Sequence, residues 1–289
     1  MLFIDLTVQG LVQGAIYALI ALGLALIYGL LRILHVAHAA LFTLGGYLGV
    51  IITNQMGTFW LSMVVAMVVV GVLGIGVYRF AYKPLLGQPP LVALIASIGL
   101  LIVAEELYRI IFGAYGLSFS DPPLQAQLEI LPSIFLSLAQ VLVIAIAVIF
   151  LGVLGWLASS TRTGIAWRAT VSDPEIARSF GINPEHVRYL NFFIGSALAA
   201  AAGVMVALLN NLVEPTMGAV PSYKGLAIIV LGGLGSIPGT LIASLALGVI
   251  ESFGTIYLGH VLDRDAIAFA FLIIVLMIRP QGLMAKGTS

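Results

Sequence analysis

Cysteine is absent from this sequence. That excludes a disulfide framework, thiolate chemistry and any Cys-based metal site. Charge is also scarce: 8% of the 289 residues are Asp, Glu, Lys or Arg, against roughly 25% in an ordinary soluble domain. The 12 basic residues balance the 12 acidic ones, so no net field draws the chain to nucleic acid. No nucleophile–base set or metal-ligating cluster stands out, and neither catalysis nor a cofactor is expected.

What the sequence has is 61% hydrophobic residues. They are gathered in blocks of about 17–25, the length that crosses a hydrocarbon core of ~30 Å. The blocks lie at residues 6–31, 37–53, 59–80, 91–112, 133–158, 189–210, 225–236, 240–258 and 266–278. The run 225–236 is too short to cross alone at ~1.5 Å rise per residue and reads as a broken or half-crossing helix. The expected fold is all-α: one polytopic transmembrane bundle over 1–289, with eight or nine spans. The first run lacks a basic region ahead of it, opens after Asp5 and is too long for a signal-peptide core, so it is expected to be retained.

One long polar segment, 159–188, interrupts this pattern and carries Arg162, Arg168, Arg178 and Arg188. Within it, Asp173 supplies an N-cap acceptor and Pro174 a first helical position. Glu175 adds favourable charge in the first turn, and Gly181 can take the left-handed conformation that ends helices. The spacing predicts a two-turn helix over 174–180 with Ile176, Ala177 and Phe180 on one face. Asn183-Pro184-Glu185 repeats the start signal ahead of the next span. An isolated helix this short is marginal, so 173–181 needs a surface to pack on: its own bundle, lipid headgroups or another protein.

Loop charge supplies an orientation. With 159–188 inside, alternation puts Arg32, Arg79, Lys83, Arg162, Arg168, Arg178, Arg188, Arg279 and Lys286 inside too. Arg109, Lys224 and Arg264 fall outside, together with Asp5, Asp121, Glu129, Glu214, Asp263 and Asp265. Nine cations against three follows the positive-inside rule and places the N-terminus out and the C-terminus in. The outer loop 113–132 then offers a polar surface to an external partner.

Small residues recur every fourth position at Gly10, Gly14 and Ala18, and again at Gly195, Ala199, Gly203 and Ala207. Such ridges let helices approach closely in lipid. The run around Gly232, Gly233, Gly235 and Gly239 is no phosphate loop: that motif needs Lys before Ser or Thr, and Gly239 stands before Thr240. Between apolar segments it fits a helix break whose freed backbone groups face a cavity or neighbouring protein.

Polar groups inside the spans are the candidates for a translocation path, because lipid penalises them. Gln9, Gln13 and Tyr17 share a face by i, i+4 spacing; Glu105 and Glu106 lie near Tyr108; Asn210, Asn211 and Glu214 end the sixth run; Glu251 lies in the eighth. Interhelical hydrogen bonding serves each of them equally well. Glu105 is also expected to pair with Arg109, its i+4 neighbour. His35 and His38, three apart, suit two metal ligands but have no third beside them, so no metal site is expected.

Four stretches resemble one family. Thr163-Gly-Ile-Ala-Trp-Arg-Ala-Thr-Val-Ser-Asp-Pro-Glu-Ile-Ala-Arg-Ser-Phe-Gly-Ile182 is similar to the cytoplasmic coupling segment of branched-chain amino acid permeases of ABC importers. Gly10-Leu-Val-Gln-Gly-Ala-Ile-Tyr-Ala-Leu19 resembles the family's opening helix. Val230-Leu-Gly-Gly-Leu-Gly-Ser-Ile-Pro-Gly239, preceded by Pro215-Thr-Met-Gly218, resembles its glycine-rich segment, and Arg279-Pro-Gln-Gly-Leu283 its C-terminal signature. The chain most resembles the shorter of the two permeases.

The resemblance implies a prokaryotic inner-membrane subunit that imports branched-chain or related small amino acids. Its implied partners are a second permease, as homo- or heterodimer, two ATP-binding subunits and a periplasmic or extracellular solute-binding protein. ATPase coupling would fall to Asp173, Pro174, Glu175, Ile176, Ala177, Arg178, Phe180 and Gly181; the candidates for the path remain the polar groups within the spans, Gln13, Tyr17, His38, Glu105, Asn210 and Glu251. Where the family has Asn-x-Ala-His-Gly followed by an acid, this chain has His35-Val-Ala-His38-Ala-Ala. The departure leaves open urea, an amide or another small organic solute. A proton-coupled transporter with Glu105, Glu106 or Glu251 as relay is the alternative from a different class.

Overall fold

The computed structural model describes residues 2–131, 134–279 and 282–284. In chain order the helices are α1 (Leu2–Leu31), α2 (His38–Met56), α3 (Phe59–Val77), α4 (Pro90–Phe112), α5 (Leu138–Ser160), α6 (Arg162–Ser172), α7 (Pro174–Ser179), α8 (Pro184–Asn210), α9 (Ala219–Gly232), α10 (Ile237–Leu258) and α11 (Arg264–Ile278). The fold is an all-α polytopic bundle. Among the described residues, seven helices are long and apolar enough to cross a membrane. The other two apolar ones, α9 with 14 residues and α11 with 15, reach only about 21–23 Å at ~1.5 Å per residue. The expected short element therefore begins earlier than the apolar run 225–236 does, because Ala219–Lys224 is helical too.

α1 is the axis. Its residues from Ala15 to Leu26 are buried with Gly23 among them, as a helix that is apolar all round requires. Space around it is set by the small-residue ridges. A side chain at Gly10 or Gly14 would strike the α10 backbone at Gly248, Val249 or Leu245. One at Gly23 would strike the Gly195 carbonyl of α8, and Gly203 of α8 lies against Phe42 and Gly46 of α2. The ridges are thus helix–helix seams within one chain. The outer helices α3, α4, α5 and α11 turn large apolar side chains outward, among them Val64, Val72, Ile95, Ile102, Ile149 and Ile273. That surface suits lipid rather than water.

Two features depart from the sequence reading. A two-stranded antiparallel hairpin, β1 (Gln127–Leu131) with β2 (Ile134–Ser137), occupies part of the outer loop, so α5 starts at Leu138 rather than at 133. Ser137 and Gln140 form a reciprocal capping box at that start. The polar segment 159–188 holds more helix than expected. α6 precedes α7 within it, and an Arg168 guanidinium N–H donates to the Ala158 carbonyl at the end of α5.

Candidate functional site

Two arrangements stand at opposite ends of α8. At its C-terminal end a cavity of about 390 Å³ lies between α1, α8, α9 and α11. Gln13, Tyr17, Asn210, Glu214, Lys224 and Arg264 supply its polar wall, with Asp265 beside them. Ile16, Val206, Leu209, Met217, Val220 and Pro221 supply the apolar one. A second cavity, of about 710 Å³, shares Gln13, Leu209, Asn210 and Arg264 with it and extends past Gln9 and Gln140. Gln140 Nε2 donates to Gln9 Oε1 there at 2.8 Å.

Beneath the first cavity lies a closed ionic network. Lys224 Nζ sits 2.8 Å from Glu251 Oε1 and 2.7 Å from Asp265 Oδ1, and it donates to the Tyr17 hydroxyl at 3.1 Å. That hydroxyl donates to Glu251 Oε2 at 2.7 Å, and Arg264 Nε donates to the same oxygen at 3.0 Å. Glu251 is 0% and Lys224 2% exposed. Two cations therefore face two carboxylates across four helices, α1, α9, α10 and α11. Burial makes such groups costly unless every one is partnered, and here each charged group has an opposite charge within 3.0 Å.

The path candidates sort accordingly. Gln13, Tyr17 and Asn210 line the cavity, and Glu251 lies behind Tyr17. His38 and Glu105 do not belong there. His38 is buried at the start of α2 against Gly23 of α1, and Glu105 lies on α4, none of whose residues lines the cavity. Arg109 pairs at 2.6 Å with Glu106, its i−3 neighbour, rather than with Glu105. His35 and His38 do not share a helix face, because α2 begins only at His38. His35 Nδ1 instead lies 2.6 Å from the Tyr82 hydroxyl, which donates to Ser97 Oγ at 2.7 Å.

Lys224 is the residue that loop counting misplaces. Alternation assigned it to an outer loop, whereas it is buried within α9. The available signal was a lone cation in Tyr223-Lys224-Gly225-Leu226, ahead of an uninterrupted apolar run. A buried lysine needs an acid, and Glu251 is the one acid within the apolar part of α10.

The glycine run forms the expected break. α9 ends at Gly232, and Gly233 and Gly235 take φ of 99° and 82°, values that favour glycine. Ser236 then caps α10 by accepting from the Gly239 N–H at 3.2 Å. Gly232 meets Gly239 backbone to backbone. Leu283 N donates to the Leu231 carbonyl at 2.7 Å, which ties the C-terminal segment to the break. Pro280 and Gln281 of the C-terminal signature lie outside the described residues.

At the N-terminal end of α8 lies α7. Asp173 Oδ1 accepts from the Glu175 and Ile176 amides at 2.8 and 2.9 Å, as its N-cap role requires. Gly181, at φ 80°, closes the helix. One expected feature fails: Ile176, Ala177 and Phe180 do not form a single face. Ala177 is 3% exposed, whereas Ile176 and Phe180 are 57% and 82% exposed. Ala177 anchors α7, and the i, i+4 pair Ile176 and Phe180 points away. Glu185 in the first turn of α8 binds Lys83 at 2.9 Å and Arg188 at 3.1 Å, and it accepts from Tyr78 at 3.1 Å. These contacts tie this end of α8 to the end of α3.

Comparison with known proteins adds the decisive observation. Residues 6–278 match the family described as branched-chain amino acid transport system / permease component. The chain belongs to that permease family. It is 32% identical to the high-affinity branched-chain amino acid transport system permease protein BraD of Pseudomonas aeruginosa, over 98% of this chain and 96% of the relative. Identity to LivH of Escherichia coli strain K12 is 31%, with the same coverage of each. LivM of the same strain is 32% identical over only 42% of this chain and 28% of its own length. This permease is therefore of the shorter, LivH-like kind. As a permease component it is a membrane transport subunit and not an enzyme.

Proposed function

We propose that this permease carries a branched-chain or related small amino acid inward across a prokaryotic inner membrane. In this reading it pairs with a second permease, one of two ATP-binding subunits seats on its α7, and a solute-binding protein delivers to the cavity end. One observation carries the reading. The capped helix α7, with exposed Ile176 and Phe180, and the half-polar, half-apolar cavity stand at opposite ends of α8. The 27 residues of α8 separate them by about 40 Å at ~1.5 Å per residue, a membrane thickness. The positive-inside count supports α7 as the cytoplasmic end, even with Lys224 removed from it.

The cavity's charged wall suits a zwitterion better than urea or an amide. A proton relay has little support from Glu251, which is engaged by Lys224, Arg264 and Tyr17 at once. Protonating it would leave Arg264 without its partner carboxylate and Lys224 with Asp265 as its one carboxylate. The test is uptake of labelled leucine into proteoliposomes. The assembled complex is expected to accumulate it with ATP on the α7 side, and the permease alone to accumulate none under a proton gradient. Gradient-driven accumulation by the permease alone would overturn the reading.

A further inference from the structure

We infer that Glu214 and Arg264 are the two poles of a zwitterion-reading site in the 390 Å³ cavity, Glu214 taking the α-ammonium group of the solute and Arg264 its α-carboxylate. The inference rests on the amino acid reading above and adds the residues that enforce it. Its basis is what remains unsatisfied after the buried network is complete. Lys224 is saturated by Glu251, Asp265 and Tyr17 and has no donor left for a ligand. Arg264 spends only Nε, on Glu251, and its side chain is half-exposed. The two terminal amino groups of the guanidinium thus have no partner among the described residues, and a planar fork of this kind matches a carboxylate in two hydrogen bonds.

Glu214 is the opposite pole. It lines the same cavity, and its carboxylate makes no ion pair or hydrogen bond to any described residue. The loop that carries it is fixed on both sides. Val213 exchanges backbone hydrogen bonds with Leu117, and Gly218 N donates to Thr43 Oγ1 at 3.1 Å. Asn211, at φ 50°, accepts from the Phe119 N–H through its side chain. In the same cavity, Ile16, Val206, Leu209 and Met217 supply apolar lining for a branched aliphatic side chain. The cavity falls within the roughly 300–1,000 Å³ typical of small-molecule sites, which pair an apolar lining with a few placed polar groups. The Lys224–Glu251 pair serves as the support that aims Arg264, since Glu251 holds its Nε.

Charge selectivity follows. A ligand with both charges satisfies both poles, whereas a ligand with one leaves the other desolvated and unpaired. A hydrogen bond to a charged group contributes about 1.5–3 kcal/mol, so each missing pole should weaken binding roughly tenfold or more. The test is equilibrium binding of labelled L-leucine to the full chain in lipid nanodiscs. Competitors are 4-methylpentanoate, which lacks the ammonium, 3-methylbutylamine, which lacks the carboxylate, and urea.

The wild-type chain is expected to prefer leucine to each competitor by about tenfold or more. Glu214→Gln should abolish the preference over 4-methylpentanoate, and Arg264→Gln the preference over 3-methylbutylamine. Arg264→Lys, which keeps a cation beside Glu251, guards against a folding defect and should weaken leucine without restoring urea. Absent leucine binding, equal competition by one-pole analogues, or unchanged preferences in both variants would overturn the assignment. Should leucine uptake by the assembled complex persist in that case, only the site falls. Should the chain discriminate as expected while the complex imports no amino acid, the function falls and the site stands.

Discussion

At the residue scale the decisive group is Lys224. Its ammonium is buried and held by two carboxylates and a hydroxyl. Removing one partner of a buried pair costs about 3–5 kcal/mol, because it strands the other charge. Lys224→Met should therefore lower the thermal stability of the purified permease sharply. Glu251 keeps Arg264 and Tyr17 in that variant, so adding Glu251→Leu should change stability non-additively, and denaturation curves of the single and double variants measure the coupling. Glu251→Gln is gentler: the amide oxygen still accepts from Tyr17, and Lys224 keeps Asp265. ATP-driven uptake by an assembled complex should persist in this variant, and complete loss with assembly intact would restore the relay alternative. Gln13, Tyr17, Asn210 and Glu251 were legible as polar groups in apolar helices. Their convergence with Lys224 and Arg264 was not, since residues 17, 224, 251 and 264 meet only through tertiary packing. Glu105 and His38 carried the same sequence signal and went elsewhere, which shows that polarity within a span marks need, not location.

At the element scale the short helices behave differently from the long ones. The long spans were readable to within a few residues because lipid length and hydropathy fix them. α7 was readable from Asp173, Pro174 and Gly181 because caps are local chemistry. Which side of α7 faces out was not, because its six residues leave no periodicity to measure, and Ala177 went inward. α6 and the β1–β2 hairpin were missed, although Thr161 caps α6 by accepting from the Gly164 N–H at 3.2 Å, a local signal of the same kind as Asp173. Two outcomes belong to this scale. Asp173→Ala should destabilise α7 locally by about 1 kcal/mol and raise hydrogen exchange at the Glu175 and Ile176 amides, leaving exchange in α1 unchanged. Gly232→Val should disrupt the α9–α10 break, since any side chain at that position meets the Gly239 and Thr240 backbone. Lower melting temperature together with weakened leucine binding would report it.

At the scale of the whole molecule, the cavity and the capped helix α7 stand at opposite ends of α8. The absence of cysteine makes the topology directly testable. Single cysteines at Ser179 and Asp121 should label with a membrane-impermeant reagent from opposite faces, Ser179 only from the cytoplasmic side. Labelling of both from one face would refute the orientation. If outside energy enters through the exposed apolar pair on α7, ATP-driven leucine uptake by the assembled complex should depend on that pair, and the complex carrying Ile176→Ser and Phe180→Ser reads the dependence. Neither side chain supports the bundle, at 57% and 82% exposed, so the permease should fold, keep its cavity and bind leucine normally. Uptake should fall at least tenfold if the pair contributes about 1.4 kcal/mol or more to coupling. Uptake at the wild-type rate in a complex bearing both substitutions would show that energy does not enter through this pair.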